Sequence, residues 1–190
     1  LLLKNSSNLS VEKDEHTRLQ EALRLNQPLA TAYYMKEDLR EFWAQLTEPL
    51  AARFLDDWIA RAEASVIDVG AGTGILSIAA ASLGCRPVTA IEIDPDATSC
   101  LQANIVRNQL GDVVRVRQSS VSEVNLDPAD LVMANLNFGM ISEYWADISK
   151  CVRVGGLVIA SGILLEQTEA FLKALPTGQR LLQHRTAGDW

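Results

Sequence analysis

The chain has 190 residues, with 17 Lys plus Arg against 24 Asp plus Glu, for a formal net charge of −7. That length is one domain with room for a small appendage, and 48% hydrophobic residues supply a core that excludes global disorder. The acidic balance disfavours a scaffold that holds nucleic acid by bulk charge. The longest apolar runs, Gly74 to Leu83 and Leu157 to Leu165, fall short of the roughly 18 residues of a membrane span, and Leu1 to Leu3 is too short for a signal-peptide core. Cys85, Cys100 and Cys151 form no CxxC and have no histidine nearby. They read as reduced thiols of a cytoplasmic protein, and no metal site is expected.

Residues 1–63 read as a helical N-terminal extension. Glu12 to Asn26 is weakly amphipathic. Pro28 breaks it. Tyr33 to Leu46 carries Leu39, Phe42, Trp43 and Leu46 on one face, and Glu48 to Arg61 can start at Pro49. From Ala64 the pattern alternates. Strands are expected at Ser65 to Val69, Pro87 to Ile91, Val113 to Val116, Ala129 to Asn135, Gly156 to Ser161 and Arg180 to Arg185. Helices are expected at Gly74 to Leu83, Pro95 to Gln109, Gly139 to Val152 and Glu166 to Leu175. Strands alternating with helices mean βαβ units, hence a doubly wound, mostly parallel α/β sheet covered on both faces. Ligands of such sheets sit at the carboxyl ends of the strands. Residues 64–190 are read as the ligand-binding domain.

The strongest signal is Asp68-Val69-Gly70-Ala71-Gly72-Thr73-Gly74, which leaves a strand and opens a helix. A dinucleotide fingerprint, G-x-G-x-x-G/A, fits poorly, because its third place falls on Ile75 or Ser77. Glu92, 22 residues beyond Gly70, ends the second strand, where a carboxylate can accept from both hydroxyls of a ribose. Asp94 before Pro95 reads as a helix N-cap, and Asn104 and Asn108 read as loop buttresses.

The D-x-G-x-G-x-G pattern resembles the first motif of class I S-adenosylmethionine (SAM) methyltransferases. The resemblance implies that Gly70, Ala71, Gly72 and Gly74 shape a pocket for SAM and that Asp68 positions its methionyl end. It also implies that Glu92 anchors the ribose. The family's usual acidic contact to the adenine amino group is replaced here by Ser119-Ser120, so Ser120 is the adenine candidate, with Gln118 beside it. Asn135, at the end of the fourth strand, matches the amide that faces the SAM methyl in amino-methylating members, and is assigned both to the cofactor site and to catalysis. The N-P-P-[FY] form is absent; the chain has Asn135-Leu136-Asn137-Phe138. From about Val66 to Trp190, the glycine motif, A-I-E-I-D-P, D-L-V-M-A-N-L and S-G-I-L-L-E-Q-T are similar to the catalytic domain of ribosomal protein L-eleven methyltransferases, which methylate lysine and α-amines of a ribosomal protein.

A SAM-dependent N-methyltransferase acting on a protein or small amine is therefore expected, without metal, membrane or nucleic acid. Tyr33-Tyr34-Met35 is faintly similar to the SAM-covering helix of protein arginine methyltransferases, with Glu143 as the single suitably placed glutamate. That is a minor alternative. A non-catalytic SAM-binding module and a nicotinamide-dependent reductase are the others. The fold's closing strand, which normally follows the sixth as a hairpin and inserts beside the fifth, is expected to be missing, because the chain stops at Trp190. With no starting Met, the sequence is read as a piece of something longer.

Overall fold

A computed structural model describes residues 2–5 and 63–184. The three expected N-terminal helices and the Tyr33-Tyr34-Met35 segment lie outside the described residues. In chain order the strands are β1 (Leu2–Asn5), β2 (Val66–Val69), β3 (Val88–Glu92), β4 (Val114–Gln118), β5 (Ala129–Asn135), β6 (Val152–Ser161) and β7 (Gln179–Gln183). The helices are α1 (Ile75–Ser82), α2 (Pro95–Arg107), α3 (Phe138–Lys150) and α4 (Thr168–Lys173), the last preceded by a 3-10 turn at Leu165–Gln167.

One seven-stranded sheet runs β4-β3-β2-β5-β6-β1-β7. From β4 to β6 every neighbouring pair is parallel, while β1 lies antiparallel to both β6 and β7. Chain order reverses at β2, which has β3 on one side and β5 on the other, so the switch-point crevice opens between the ends of β2 and β5.

The strands alternate between two cores, as a sheet covered on both faces requires. Val66, Ala90, Leu131, Met133 and Leu157 pack against α1 and against Leu101 and Ile105 of α2. Ile67, Val69, Ile91, Val132, Ala134 and Val158 pack on the other face against Ile141, Trp145 and Ile148 of α3 and Phe171 of α4. Trp145 meets the Phe171 ring edge-on at 4.8 Å. Cys85 and Cys151 are buried thiols in these two cores; burial, then the Asp130 carboxylate, pushes the Cys85 thiol up to about 12.

Local signals explain the helix ends. Asp94 accepts from the Asp96 N–H at 2.8 Å and caps α2, with Pro95 at its first position. Gly84, at φ 105°, closes α1. Its N–H donates to Ala81 O and the Cys85 N–H donates to Ala80 O, a Schellman pair.

Two expectations are corrected. Helix α3 stops at Lys150 and β6 begins at Val152, not at Gly156. Val152 already pairs with Ala129, after which the register jumps to Leu131 opposite Leu157. The intervening bulge is tied down by Arg153, whose guanidinium lies 2.5 Å from Asp130. The second correction concerns the N-terminal extension, which does not begin as helix or loop. Leu2–Asn5 is a strand of the seven-stranded sheet and occupies the place between β6 and β7 expected to stand open. That place exposes backbone donors and acceptors on both sides, and an extended tetrapeptide satisfies both rows.

Candidate functional site

The site is built on the ends of β2, β3, β4 and β5. After Val69 the Gly70 and Ala71 N–H groups both donate to the Ile91 carbonyl, at 2.9 and 3.0 Å, folding the loop back over the end of β3. Gly70, Gly72 and Gly74 all have positive φ (70°, 54° and 85°). Gly74 shows why the residue type is required: a Cβ there would come within 2.2 Å of Leu101 Cδ1. At Gly72 a Cβ would meet no atom within 4 Å, so the loop leaves open space on that side.

Glu92 is buried and braces the loop. Its Oε2 accepts from the Gly72 N–H at 2.8 Å and its Oε1 from the Asp94 N–H at 2.9 Å. Each carboxylate oxygen has a second lone pair, so both remain able to accept from a ligand. The Ser119 N–H donates to the Glu92 carbonyl at 3.0 Å, tying the end of β4 to the end of β3. Next along, the half-buried Ser120 hydroxyl lies 2.9 Å from that of Ser122.

Asp68 is 1% exposed, and its partner is Ser77 of α1. The Ser77 hydroxyl donates to Oδ2 at 2.6 Å, and the Ser77 backbone adds a second bond. Gly74 offers α1 no side-chain cap, so Asp68 satisfies its first turn from across the loop. Burial pushes the Asp68 carboxyl up to about 6, against the Ser77 bonds that pull it down, with the Glu92 charge adding to the rise. Among the described residues Asp68 Oδ1 is buried without a partner. A desolvated carboxylate with a free oxygen suits a cationic group arriving in the site.

The other wall is less tied. Asn135 is exposed at the end of β5, opposite Ser161, and its amide has no hydrogen-bond partner among the described residues. The Leu136 N–H donates to the Ser161 carbonyl at 3.1 Å. Asn137 caps α3, accepting from the Met140 N–H at 3.0 Å.

All eight sequence candidates therefore lie at or just beyond the carboxyl ends of adjacent parallel strands: Asp68 near the end of β2, Gly70, Ala71, Gly72 and Gly74 after it, Glu92 at the end of β3, Ser120 after β4 and Asn135 at the end of β5. Asn104 is the buttress its position suggests, its Nδ2 donating to the Thr73 carbonyl at 2.9 Å. Sequence reasoning missed Ser77, weighed solely as a failed dinucleotide glycine; its signal is a polar residue in the first turn of a mostly apolar helix.

Strand reversal at β2, a glycine loop braced by Glu92 and an amide at the end of β5 define a Rossmann-like methyltransferase fold. The family model described as "Ribosomal protein L11 methyltransferase (PrmA)" matches residues 11–190. Of curated proteins, the ribosomal protein L11 methyltransferase of Bacillus cytotoxicus is 42% identical over 111 residues, 58% of this chain and 36% of its own length. That of Listeria welshimeri is 32% identical over 146 residues, 76% of this chain and 46% of its own. The crystal structure of ribosomal protein L11 methylase from Lactobacillus delbrueckii subsp. bulgaricus superposes with a TM-score of 0.64 at 26% identity, over 76% of each chain. The chain belongs to the ribosomal protein L11 methyltransferase family, whose cofactor is S-adenosylmethionine. It spans less than half the length of those two curated relatives.

Proposed function

We propose that this chain transfers a methyl group from SAM to an amine nitrogen of a protein, in the cytoplasm, with a ribosomal protein of the kind named for its relatives as the acceptor. The observation that carries this reading is Asn135: an exposed amide without a partner among the described residues, across the switch-point crevice from a loop with open space at Gly72. When bound, SAM supplies a methyl carbon made electrophilic by its sulfonium.

The chain's own residues bind and aim. Asp68 Oδ1 accepts from the methionyl ammonium, which relieves its isolation. Glu92 holds the glycine loop through Oε2 and the turn into α2 through Oε1, and offers the remaining lone pairs to the ribose hydroxyls. Ser120 offers a hydroxyl to the adenine. Asn135 Oδ1 accepts from an N–H of the neutral acceptor amine and so points the nitrogen lone pair at the methyl carbon. Because the displacement is direct, this alignment is a major part of the rate. SAM held there would supply the methyl group for a direct displacement, with sulfur keeping the electron pair of the broken bond and the amine proton passing to water.

The test begins with calorimetry on S-adenosylhomocysteine, the demethylated product. Micromolar binding is expected, NAD should not bind, and Glu92→Ala should weaken the product roughly ten- to a hundredfold, the worth of charge-assisted hydrogen bonds. Labelled SAM is then supplied with purified ribosomal protein L11 or with free lysine. Incorporation into the protein supports the reading. Labelling of free lysine alone would move the acceptor to small amines, and product binding with no labelling at all would leave a SAM-binding module.

A further inference from the structure

Two glycines far apart in sequence close on one leucine. Gly70, at φ 70°, opens the cofactor loop after β2; a Cβ there would stand 2.4 Å from Leu136 Cδ2. Gly162, at φ 85°, follows β6; a Cβ there would stand 2.4 Å from the Leu136 oxygen, 2.9 Å from its carbonyl carbon and 3.2 Å from Asn135 Oδ1. The Leu136 N–H is held by Ser161. Leu136 is buried, at 9% exposure, although it directly follows the exposed Asn135. Its side chain therefore fills the space Gly70 leaves, and its backbone lies in the space Gly162 leaves. The two contacts differ in kind. The first meets the end of a flexible side chain, and the second meets backbone, which has nowhere to go.

We infer that Leu136 is a positioning residue that sets the spacing between the cofactor loop and the acceptor-orienting amide of Asn135, and that Gly70 and Gly162 are glycine because they bracket it. This rests on the reading of Asn135 given above. In-line displacement tolerates little error in that spacing, and a misplacement of about 1 Å can cost on the order of a hundredfold in rate. The Asn135 backbone is held in the ladder opposite Ser161, but its side-chain amide has no hydrogen bond among the described residues, so the packing around Leu136 and Gly162 is what sets where that amide sits.

The experiment compares Leu136→Ala, Leu136→Met and Gly162→Ala with Ile141→Ala, a truncation in the same core but on α3. For each, kcat, KM for the protein acceptor, product affinity by calorimetry and the urea midpoint are measured. Leu136→Ala should lower kcat at least tenfold while product affinity stays within about twofold, and Leu136→Met should recover most of the rate, since the swap nearly conserves volume. Ile141→Ala should lower the midpoint at least as far with kcat changed less than threefold. Gly162→Ala should lower kcat at least as much as Leu136→Ala. In the cofactor loop, Gly70→Ala should weaken product binding, and adding Leu136→Ala should return part of that affinity, because the methyl in the way is gone; this readout needs no turnover. The inference is overturned if Leu136→Ala keeps kcat within twofold, if Ile141→Ala loses as much kcat as Leu136→Ala, or if the Gly70 double variant shows no recovery. Asn135→Ala is run alongside. Full turnover there overturns the parent reading, whereas a dead Asn135→Ala beside an active Leu136→Ala overturns this inference alone.

Discussion

The two walls of the crevice are built differently. On the β2–β3 side, nearly every polar group is tied: Glu92 to Gly72 and Asp94, Ser77 to Asp68, Asn104 to Thr73. On the β5–β6 side, Asn135 is exposed and without a partner among the described residues, and its neighbourhood is set by contact at Leu136 and Gly162. A wall braced by hydrogen bonds keeps its shape before a ligand arrives and gives affinity. A wall fixed by packing, with one free amide at its tip, contributes little until an acceptor supplies the missing partner. The first should govern how tightly the cofactor is held, and the second how fast it reacts.

Asn135→Ala is the sharpest way to break that contrast, and the largest effect expected. It removes the oxygen proposed to orient the acceptor and leaves every bond of the opposite wall in place. Turnover should fall by about 10²-fold or more, the scale attached to lost alignment and proton contact, while product affinity changes less than twofold. Single-turnover kinetics beside calorimetry reads both. Equal losses in rate and affinity would mean that the walls do not divide the work.

The second effect concerns Asp68. Its folded carboxyl sits at about 6 against an ordinary 3.8, so between those values the folded protein holds a proton that the unfolded chain has released. The ligand-free protein is therefore most stable on the acid side of this window and loses stability as pH rises through it, by up to about 3 kcal/mol from this group, with no further change above. Urea midpoints from pH 4 to 7 should fall with that sign. Asp68→Asn keeps an acceptor for Ser77 and should flatten the slope. Bound cofactor should flatten it too if, as proposed, its ammonium meets this carboxylate. A rising midpoint across this window, in wild type only, would place the carboxylate in a cation's company already.

Much of this was legible in the sequence. The glycine loop announced the end of β2, because three glycines at alternate places after a β-branched run have few other uses, and Asp94-Pro95 marked the start of α2. The parallel pairing from β4 to β6 followed from the βαβ alternation. What stayed hidden depends on contacts between distant segments. Nothing in Gly162 alone says that it faces Leu136, since the clash that demands it lies 26 residues away. The start of β6 was misplaced because Val152 sits within reach of an amphipathic helix pattern, and only pairing with Ala129 decides for the strand. Leu2–Asn5 joins a sheet whose next strand among the described residues begins at Val66, a pairing that no local pattern announces.

Asn104 gives the smallest effect and the finest test of the braced wall. It is 2% exposed on α2, and its amide nitrogen holds the Thr73 carbonyl, between Gly72 and Gly74. Its Oδ1 is buried with no partner among the described residues. Asn104→Ala therefore does two opposing things. It strands the Thr73 carbonyl and leaves a small void, which destabilise, and it removes an unsatisfied oxygen, which stabilises. The net should be about 1 kcal/mol of stability at most, with product affinity weakened about two- to fivefold and kcat at saturating cofactor unchanged. A kcat change without an affinity change would show that the glycine loop reaches across the crevice to Asn135, and the division between a binding wall and a reacting wall would have to be given up.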